Sequence, residues 1–302
     1  MIRLGLCCIF VEAPIKFRRT TATYQSRFSQ HDQRRNLAGL CLHNAGELLK
    51  ALQYCRDAGI GAFRINSQIL PLVTHPTLGY EIHDLPGHGE IVDAYRQCGD
   101  FARRHDIRTS FHPDQFVVIA SPTESVRHKS VQELVYQTRV AEWVAADVIN
   151  IHAGGAYGDK PASLKRLVSA IRTLPSDIRS RLTIENDDRV YSPADLLPVC
   201  RETGLPLTYD VHHHRCFPDG LDVEGATRAA LKTWSREPLF HISSPLDRHG
   251  DSVDRRHADT VDVQDFPDLW RSLDITVDVE AKAKEVAVDR LKKDLLRTAP
   301  LH

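Results

Sequence analysis

Short apolar runs rich in β-branched residues recur along the chain, and amphipathic stretches separate them. Such runs are typical of buried strands, whereas apolar residues that repeat about every three to four positions indicate helices. The predicted strands are Ile2–Ile9, Gly61–Ile69, Arg108–His112, Val148–Ala153, Leu182–Asn186, Leu207–His212, Leu239–Ser243 and Ile275–Glu280. The predicted helices are Glu47–Asp57, Ile91–His105, Val131–Ala145, Leu164–Thr173, Ala194–Arg201, Val223–Trp234 and Ala283–Leu296.

This alternation determines the predicted fold class. Strands that are apolar along most of their length are typical of a parallel sheet covered by helices. Eight such units predict an α/β fold, a single (β/α)8 TIM barrel that spans residues 1–302 as one domain. An open doubly wound sheet is the alternative, but no G-x-G-x-x-G motif follows the first strand. The long connections Val11–Asn44 and Leu70–His88 both follow strands, so the functional site is expected at the C-terminal face of the strands.

Candidate metal ligands lie at the ends of six consecutive predicted strands. They are His112, His152, Glu185, Asp210, His241 and Glu280, and His213 and His257, with Asp259 near them, follow in loops. Strand ends at one rim of a barrel converge, so these side chains are expected to share a pocket. Imidazoles and carboxylates without thiolates suit zinc, manganese or iron. Because this set exceeds the needs of one ion, two or three ions are the natural number.

Each of these residues also has an ordinary structural interpretation. A single histidine at a strand end is more often a hydrogen-bonded structural group than a ligand, and Glu185 or Glu280 could pair with a basic residue. Of the triple His212–His214, one ligand is expected, because neighbours on a strand point to opposite faces. Asn150, Asn186 and Ser243 could orient ligands or cap helices, and the sequence leaves both interpretations open. The joint pattern, however, favours a metal centre.

Composition and charge narrow the classes of protein. The 39 basic and 40 acidic residues give no overall attraction to nucleic acid or membrane, and no apolar run is long enough to span a bilayer. Seven cysteines without a C-x-x-C pair argue against a disulfide framework and favour a cytoplasmic location. The first loop is basic, with six Lys or Arg against two acidic residues between Val11 and Asn36. A phosphate backbone is one partner for that loop, and a solvated charge run is the alternative.

A series of motifs resembles the ultraviolet damage endonuclease family. They are FHPDQF at Phe111–Phe116, NIHAGG at Asn150–Gly155, LTIEND at Leu182–Asp187, YDVHHH at Tyr209–His214, FHISSP at Phe240–Pro245, RRHAD at Arg255–Asp259 and VEAKAKE at Val279–Glu285. The resemblance implies a TIM barrel related to endonuclease IV that holds three divalent ions. Manganese is the expected metal, with zinc, cobalt or magnesium as alternatives. It also implies incision immediately 5′ to pyrimidine dimers, 6-4 products and abasic sites, leaving a 3′-hydroxyl and a 5′-phosphate.

The resemblance also assigns roles to individual residues. His112, His152 and Glu185 match the ligands of one ion, and Asp210, His241 and Glu280, with Glu185 as a bridge, match those of a second. His213 and His257 match the third, and Glu185, Asp210 and Glu280 are the expected catalytic residues. Gln115 and Phe116 match the pair that probes damaged bases, while Arg18 and Arg19 of the basic loop are expected to contact DNA. Two departures stand out: Leu239 replaces a metal-site lysine, and Leu6 replaces a DNA-contacting tyrosine.

Two other functions compete with this hypothesis. A metal-dependent sugar isomerase or epimerase on a related barrel would have a narrow pocket for a small polyol. A non-catalytic DNA-damage-binding protein is the second rival, suggested by Leu239. The endonuclease hypothesis predicts double-stranded DNA with ultraviolet lesions as the partner, without a membrane or an obligate protein partner, and action at the nucleoid.

Overall fold

Eight parallel strands form the centre of the molecule in a computed structural model, which describes residues 2–247 and 253–298. Their bounds are β1 Ile2–Cys7, β2 Ala62–Ile65, β3 Arg108–Phe111, β4 Val148–His152, β5 Leu182–Glu185, β6 Leu207–Thr208, β7 Leu239–Ile242 and β8 Ile275–Val279. Each lies within a predicted strand and is shorter than predicted, because the residues at the carboxyl end of each predicted strand belong to the following turn or loop. The strand order along the chain is therefore confirmed.

The strands close into a barrel. Hydrogen-bonded neighbours run in the order β6-β5-β4-β3-β2-β1-β8-β7, and every pair is parallel. The edge strands β6 and β7 meet through one parallel bridge between Asp210 and His241, where the His241 N–H donates to the Tyr209 carbonyl at 3.0 Å. The predicted (β/α)8 TIM barrel is confirmed. The seam of the barrel, which is the junction between β6 and β7, is formed by the candidate metal ligands Asp210 and His241.

Helices surround the barrel. Their bounds are α1 Ala22–Gln25, α2 Gln30–Ala58, α3 His88–Arg104, α4 Glu124–Val144, α5 Lys160–Thr173, α6 Ser176–Arg181, α7 Pro193–Thr203, α8 Val211–Cys216, α9 Val223–Leu231 and α10 Lys284–Arg297. Short 3-10 helices occupy Ile82–Asp84, Val263–Asp265 and Asp268–Ser272. The sequence encodes several of the ends: the Ser29 side chain accepts from the Asp32 N–H at the start of α2, and Gly59 ends that helix in the left-handed region.

The first loop is shorter than predicted. The segment Val11–Asn44 was expected to be a connection, but α2 begins at Gln30, so Arg34 and Arg35 lie on a helix. The Arg34 guanidinium donates to the carbonyl of Gly79 and packs over the Tyr80 ring, which gives this residue a structural role. The basic stretch of the loop therefore ends earlier. The second half of α2 was predicted as Glu47–Asp57, and the first half was missed because residues 30–36 are all polar and give no apolar stripe.

The predicted sixth strand was wrong at its carboxyl end. Instead of continuing to His212, the chain turns into the short helix α8, and Asp210 is its N-cap. The Asp210 carboxylate accepts a hydrogen bond from the His213 N–H at 2.8 Å. The three-residue spacing between these two candidate ligands is thus the spacing of an N-cap and its third helical residue, which brings both side chains to the same side of the turn.

The barrel interior is polar at both ends. At the amino ends of the strands, Arg3 and Thr276 donate to the Glu237 carboxylate, and Arg108 donates to Thr276.

The described residues pack around this one barrel. That residues 1–302 form a single domain stays a prediction, because Met1, 248–252 and 299–302 lie outside the described residues. Among the helices that the structure describes, none is long and apolar enough to cross a membrane.

Gly5 gives a test of the packing inside the barrel. It lies on β1 opposite Asp278 of β8, and a Cβ at this position would overlap the Asp278 carboxylate. We expect Gly5→Ala to lower the free energy of unfolding by about 1–3 kcal/mol, since overpacking forces buried groups to shift. Urea denaturation measures the change.

A matched control is Gly46→Ala on α2, where a Cβ would have open space. That substitution is expected to raise stability by roughly 0.5–1 kcal/mol because alanine is the better helix former. Equal stability of Gly5→Ala and the wild-type protein would contradict the proposed packing.

Candidate metal centre

Histidine and carboxylate side chains converge at the carboxyl end of the barrel. His112 follows β3, His152 ends β4 and Glu185 ends β5, and the remaining members come from β7 and the segments after β6 and β8. Within the part of the chain that the structure describes, three groups have ligand atoms within 4.8 Å of one another. They are His112, His152 and Glu185; His112, His241 and Glu280; and Glu185, Asp210 and His213. Seven of the eight predicted ligands are therefore brought together, and the assignment of each to an ion stays a prediction.

Glu185 is the centre of this arrangement. Its side chain is fully buried, with Oε2 2.9 Å from His112 Nε2 and 4.0 Å from His152 Nε2. Its other oxygen, Oε1, lies 3.1 Å from His241 Nδ1 and 3.3 Å from His213 Nδ1. One carboxylate thus faces four imidazoles with both oxygens, which is the geometry that a bridging ligand requires.

Glu280 forms the second carboxylate of the cluster. Its Oε1 lies 3.3 Å from His241 Nδ1 and is also contacted by the guanidinium of Arg64 on β2. His257 is at the edge, with Nδ1 3.8 Å from Glu280 Oε2, and belongs to none of the three groups. Asp259 is exposed, and its backbone carbonyl accepts from the Ala283 N–H. His257 and Asp259 are therefore the more peripheral of the predicted residues.

A relay of hydrogen bonds through Thr208, Thr183 and Asn150 ends at Glu185 and holds its side chain in place. Thr208 donates to Thr183 at 2.9 Å, Thr183 donates to the Asn150 side-chain oxygen at 2.9 Å, and the Asn150 amide donates to Glu185 Oε2 at 2.5 Å. All four residues are buried. Of the two interpretations left open for Asn150, this contact favours orientation of a candidate ligand.

Asn186 and the serines after β7 have more structural contacts. The Asn186 side chain donates to the Asp210 carbonyl at 2.9 Å and accepts from the Asp210 N–H at 3.0 Å, which fixes the turn that carries Asp210. Ser244 donates to Asp265 and accepts from the Asp262 N–H at 2.8 Å, so it anchors the loop that follows. Ser243 Oγ is buried and has no hydrogen-bond partner among residues 2–247 and 253–298.

One histidine of the triple His212–His214 joins the cluster, as predicted, but the stated reason was wrong. The three residues lie on α8 rather than on a strand. His213 faces Glu185, whereas His214 pairs with Asp219 at 3.1 Å and with the Tyr209 hydroxyl at 2.7 Å. His212 Nε2 lies 3.3 Å from the Arg255 carbonyl. Helical rotation, not strand alternation, separates their roles.

The cluster strongly shifts several pKa values. Although burial acts to raise them, the facing histidines hold the pKa of Glu185 well below its usual range, and Arg64 and His241 do the same for Glu280. Burial acts to lower the pKa of His241, but Glu185 and Glu280 raise it to about 9. Asp210 and Glu185 similarly outweigh burial and raise the pKa of His213, whereas burial prevails for His112 and lowers its pKa. Anionic carboxylates are thus available as ligands at neutral pH.

These residues fit divalent metal ions. Asp210 Oδ2 and His152 Nδ1 are buried without a hydrogen-bond partner among the described residues, although such atoms are normally paired. The donors are nitrogen and oxygen only, a set that suits zinc, manganese, cobalt or iron better than a thiolate-seeking ion. His112 Nδ1 donates to the Pro113 carbonyl at 3.2 Å, which leaves Nε2 to face the cluster, as in many metal-binding histidines.

The predicted DNA-contacting residues lie outside the cluster. Gln115 and Phe116 are exposed in the loop after β3, and Phe116 is 76% exposed. Arg18 and Arg19 are exposed in the loop after β1, where they line an open cleft of about 700 Å³ together with Tyr24 and Arg35. These loops extend from the same end of the barrel as the candidate ligands, since all of them follow strands.

Four further residues lie in or near the site: two that the sequence did not predict, and two at which the chain departs from the family pattern. Arg64, which is partly buried, and the fully buried Asp278 lie beside the cluster and were not predicted, because a lone charged residue within an apolar run gives no signal of a site. Both family departures are core residues: Leu6 and Leu239 are almost completely buried. Leu6 is therefore not available for a surface contact, and Leu239 lies two residues before His241 on β7, on the same face of that strand.

Metal binding is expected to release protons. The pKa of His241 is raised to about 9, so its ring carries an extra proton at neutral pH and must lose it to bind a cation, and the raised pKa of His213 acts in the same direction. Apparent Mn²⁺ affinity should therefore rise as the pH increases toward about 9, the pKa of His241, and level off above it. Isothermal titration calorimetry in buffers of different ionisation enthalpy counts the released protons. A pH-independent affinity with no proton release would contradict the site.

Comparisons with known proteins agree with the motifs. A family model described as UV-endonuclease UvdE matches residues 2–300. A UV DNA damage endonuclease of Bacillus velezensis is 33% identical over 306 residues, covering 95% of this chain and 91% of the relative. The crystal structure of SacUVDE has a TM-score of 0.86 and 27% identity, with 100% of both chains covered. Endonuclease IV from Thermus thermophilus, at 18% identity and a TM-score of 0.60, covers 83% of this chain and 95% of its own, and shares the fold.

The family match extends over the whole barrel and includes every candidate ligand as well as Leu6 and Leu239. The resemblance read from the motifs is thereby confirmed, and the relation to endonuclease IV is confirmed for the fold. The chain belongs to the UV-endonuclease UvdE family and is a DNA repair endonuclease.

Proposed function

We propose that this protein uses divalent metal ions to cut the DNA backbone immediately 5′ to ultraviolet photoproducts, leaving a 3′-hydroxyl and a 5′-phosphate. The observation that carries the proposal is the buried cluster at the carboxyl rim, in which Glu185 is shared by four histidines. Family membership supports the substrate, because the matched relative is named for UV DNA damage. Three ions, with manganese as the expected metal, are what the family resemblance implies, and the seven clustered His, Asp and Glu side chains offer more donors than one ion needs.

The cluster would hold the ions with residues in fixed positions. When bound, the ions supply Lewis-acid stabilisation of a phosphoryl group and activation of water. Glu185 would bridge two positions, since its two oxygens face different histidines. Asp210 and Glu280 would supply the remaining negative charge, and the buried relay through Asn150 would prevent Glu185 from rotating away. Arg64, held against Glu280, adds a fixed positive charge that favours a phosphate.

Recognition of damage would use the rim around this cluster. Most large hydrophobic side chains exposed among the described residues lie in segments between a strand end and the following helix, and Tyr24 lies on the short helix α1 that follows β1; the others are Ile9, Val11, Phe116, Tyr157 and Leu246. Exposed apolar groups on such loops are suited to wedge into a duplex, and basic residues such as Arg18 and Arg19 are suited to its phosphates. A photoproduct weakens stacking, so bending and opening the duplex costs less at a lesion.

Glu185→Gln tests the role of the central carboxylate. The change keeps the size of the side chain but removes its charge, so incision of irradiated supercoiled plasmid with Mn²⁺ should fall by at least about a hundredfold. The matched control is Glu47→Gln, because Glu47 is a buried carboxylate that accepts from the Lys16 N–H and pairs with Lys50. Near-wild-type incision by Glu185→Gln would refute the bridging role.

The same assay separates the rival functions. Loss of nicking after chelation and its return with Mn²⁺ is the expected result, and a duplex with one defined dimer maps the cut and its end groups. Binding of irradiated DNA without cutting under any metal would indicate a damage-binding protein. Turnover of free ketoses without nicking would indicate a sugar isomerase or epimerase.

Phe116→Ala tests the wedge. We expect the preference for irradiated over intact DNA to fall by roughly tenfold, since an unstacking contact contributes about 1–3 kcal/mol. Cutting of a duplex that already contains a flexible gap should change less. The control is Leu296→Ala on α10, because Leu296 is 72% exposed but lies on an outer helix. An unchanged preference in Phe116→Ala would remove this residue from lesion recognition.

A further inference from the structure

Asp278 is a buried carboxylate without a structural explanation. It lies on β8, its side chain is fully buried, and neither carboxylate oxygen has a hydrogen-bond partner among residues 2–247 and 253–298. Its strand neighbours by register are Gly5 on β1 and His241 on β7. Since burying an unpaired polar group costs free energy, the sequence is expected to retain such a group only where it has a function.

His241 has the complementary feature. Its Nδ1 faces the cluster, 3.1 Å from Glu185 and 3.3 Å from Glu280, whereas its Nε2 is buried and has no hydrogen-bond partner in the described part of the chain. The closest carboxylate on that side is Asp278, with Oδ2 3.8 Å from Nε2. An imidazole that binds a metal through one nitrogen carries a proton on the other, and that proton needs an acceptor.

We propose that Asp278 is a positioning residue for the metal centre: it accepts a hydrogen bond from His241 Nε2–H and so holds Nδ1 toward Glu185 and Glu280. The inference rests on the proposed function, because it assumes that His241 binds a metal ion. The 3.8 Å separation exceeds an ordinary hydrogen bond of about 2.9 Å, so one of the two side chains rotates to complete it.

The surroundings favour this pairing over a purely structural role. Gly5 leaves the space that the Asp278 side chain occupies, since any larger residue would overlap it. Arg64 is the other cation nearby: its Nη1 contacts Glu280 and its Nε is buried without a hydrogen-bond partner, but no hydrogen bond joins it to Asp278 in the described residues. Thr276, the inward-facing residue two positions earlier on β8, is already bonded to Glu237. Among the described residues, His241 Nε2 lies within 4 Å of the Asp278 carboxylate, at 3.8 Å from Oδ2, and it has no other hydrogen-bond acceptor.

The test compares two substitutions at Asp278. Asp278→Leu removes the acceptor, and we expect the dissociation constant for Mn²⁺ to rise by about 10- to 100-fold. Asp278→Asn keeps a carbonyl oxygen that accepts a hydrogen bond and should lie between Leu and wild type. Affinity is measured on the full chain by competition with a chromophoric chelator, and retained manganese is counted by elemental analysis after dialysis. Glu47→Gln serves again as the matched buried carboxylate and should bind Mn²⁺ as the wild type does.

Stability in EDTA separates positioning from folding. Replacing a buried unpaired carboxylate by leucine should leave the melting temperature unchanged or higher without metal, while Mn²⁺ affinity falls. Wild-type affinity in both Asp278 variants would overturn this inference and leave the proposed function intact. Failure of the wild-type protein to bind any divalent ion would overturn both.

Discussion

The buried charge of Glu185 is the constraint around which the functional end of the barrel is organised. A carboxylate removed from water is costly unless other groups compensate its charge and lone pairs. Here four histidines from four different segments of the barrel face its oxygens, and the Asn150 amide donates to it. If one of these partners is removed, part of the Glu185 charge is left uncompensated. The strand ends that carry the partners must therefore keep their positions relative to one another.

The seam of the barrel lies at the same place. Strands β1 to β6 and strands β7 and β8 join through regular ladders, but β6 is only two residues long and meets β7 at the single bridge between Asp210 and His241. Both bridge residues are candidate ligands. The backbone that closes the fold is therefore the backbone that positions the site, and the polar layer of Arg3, Arg108 and Glu237 secures the opposite end.

The sequence predicted the barrel and most of the cluster because both depend on simple rules. Strands that are buried on both faces are apolar along most of their length, and the carboxyl ends of parallel strands meet at one rim of a barrel regardless of the loop sequences. The features that the sequence did not predict depend on contacts, either with neighbouring residues or with residues far along the chain. Helix α8 is too short for a periodic pattern, so the role of Asp210 as an N-cap was missed. Arg64 pairs with Glu280 across 216 positions, and which inward residues meet inside a barrel is fixed by stagger rather than by sequence spacing.

The relay below Glu185 has a direction. The ionised Glu185 carboxylate can only accept, so Asn150 turns its NH₂ group toward it and its side-chain oxygen toward Thr183. Thr183 must then donate its single hydroxyl proton to that oxygen, and Thr208 in turn donates to Thr183. The charge of Glu185 therefore sets the orientation of one amide and two hydroxyl groups inside the barrel, because an amide oxygen facing the carboxylate would be repelled.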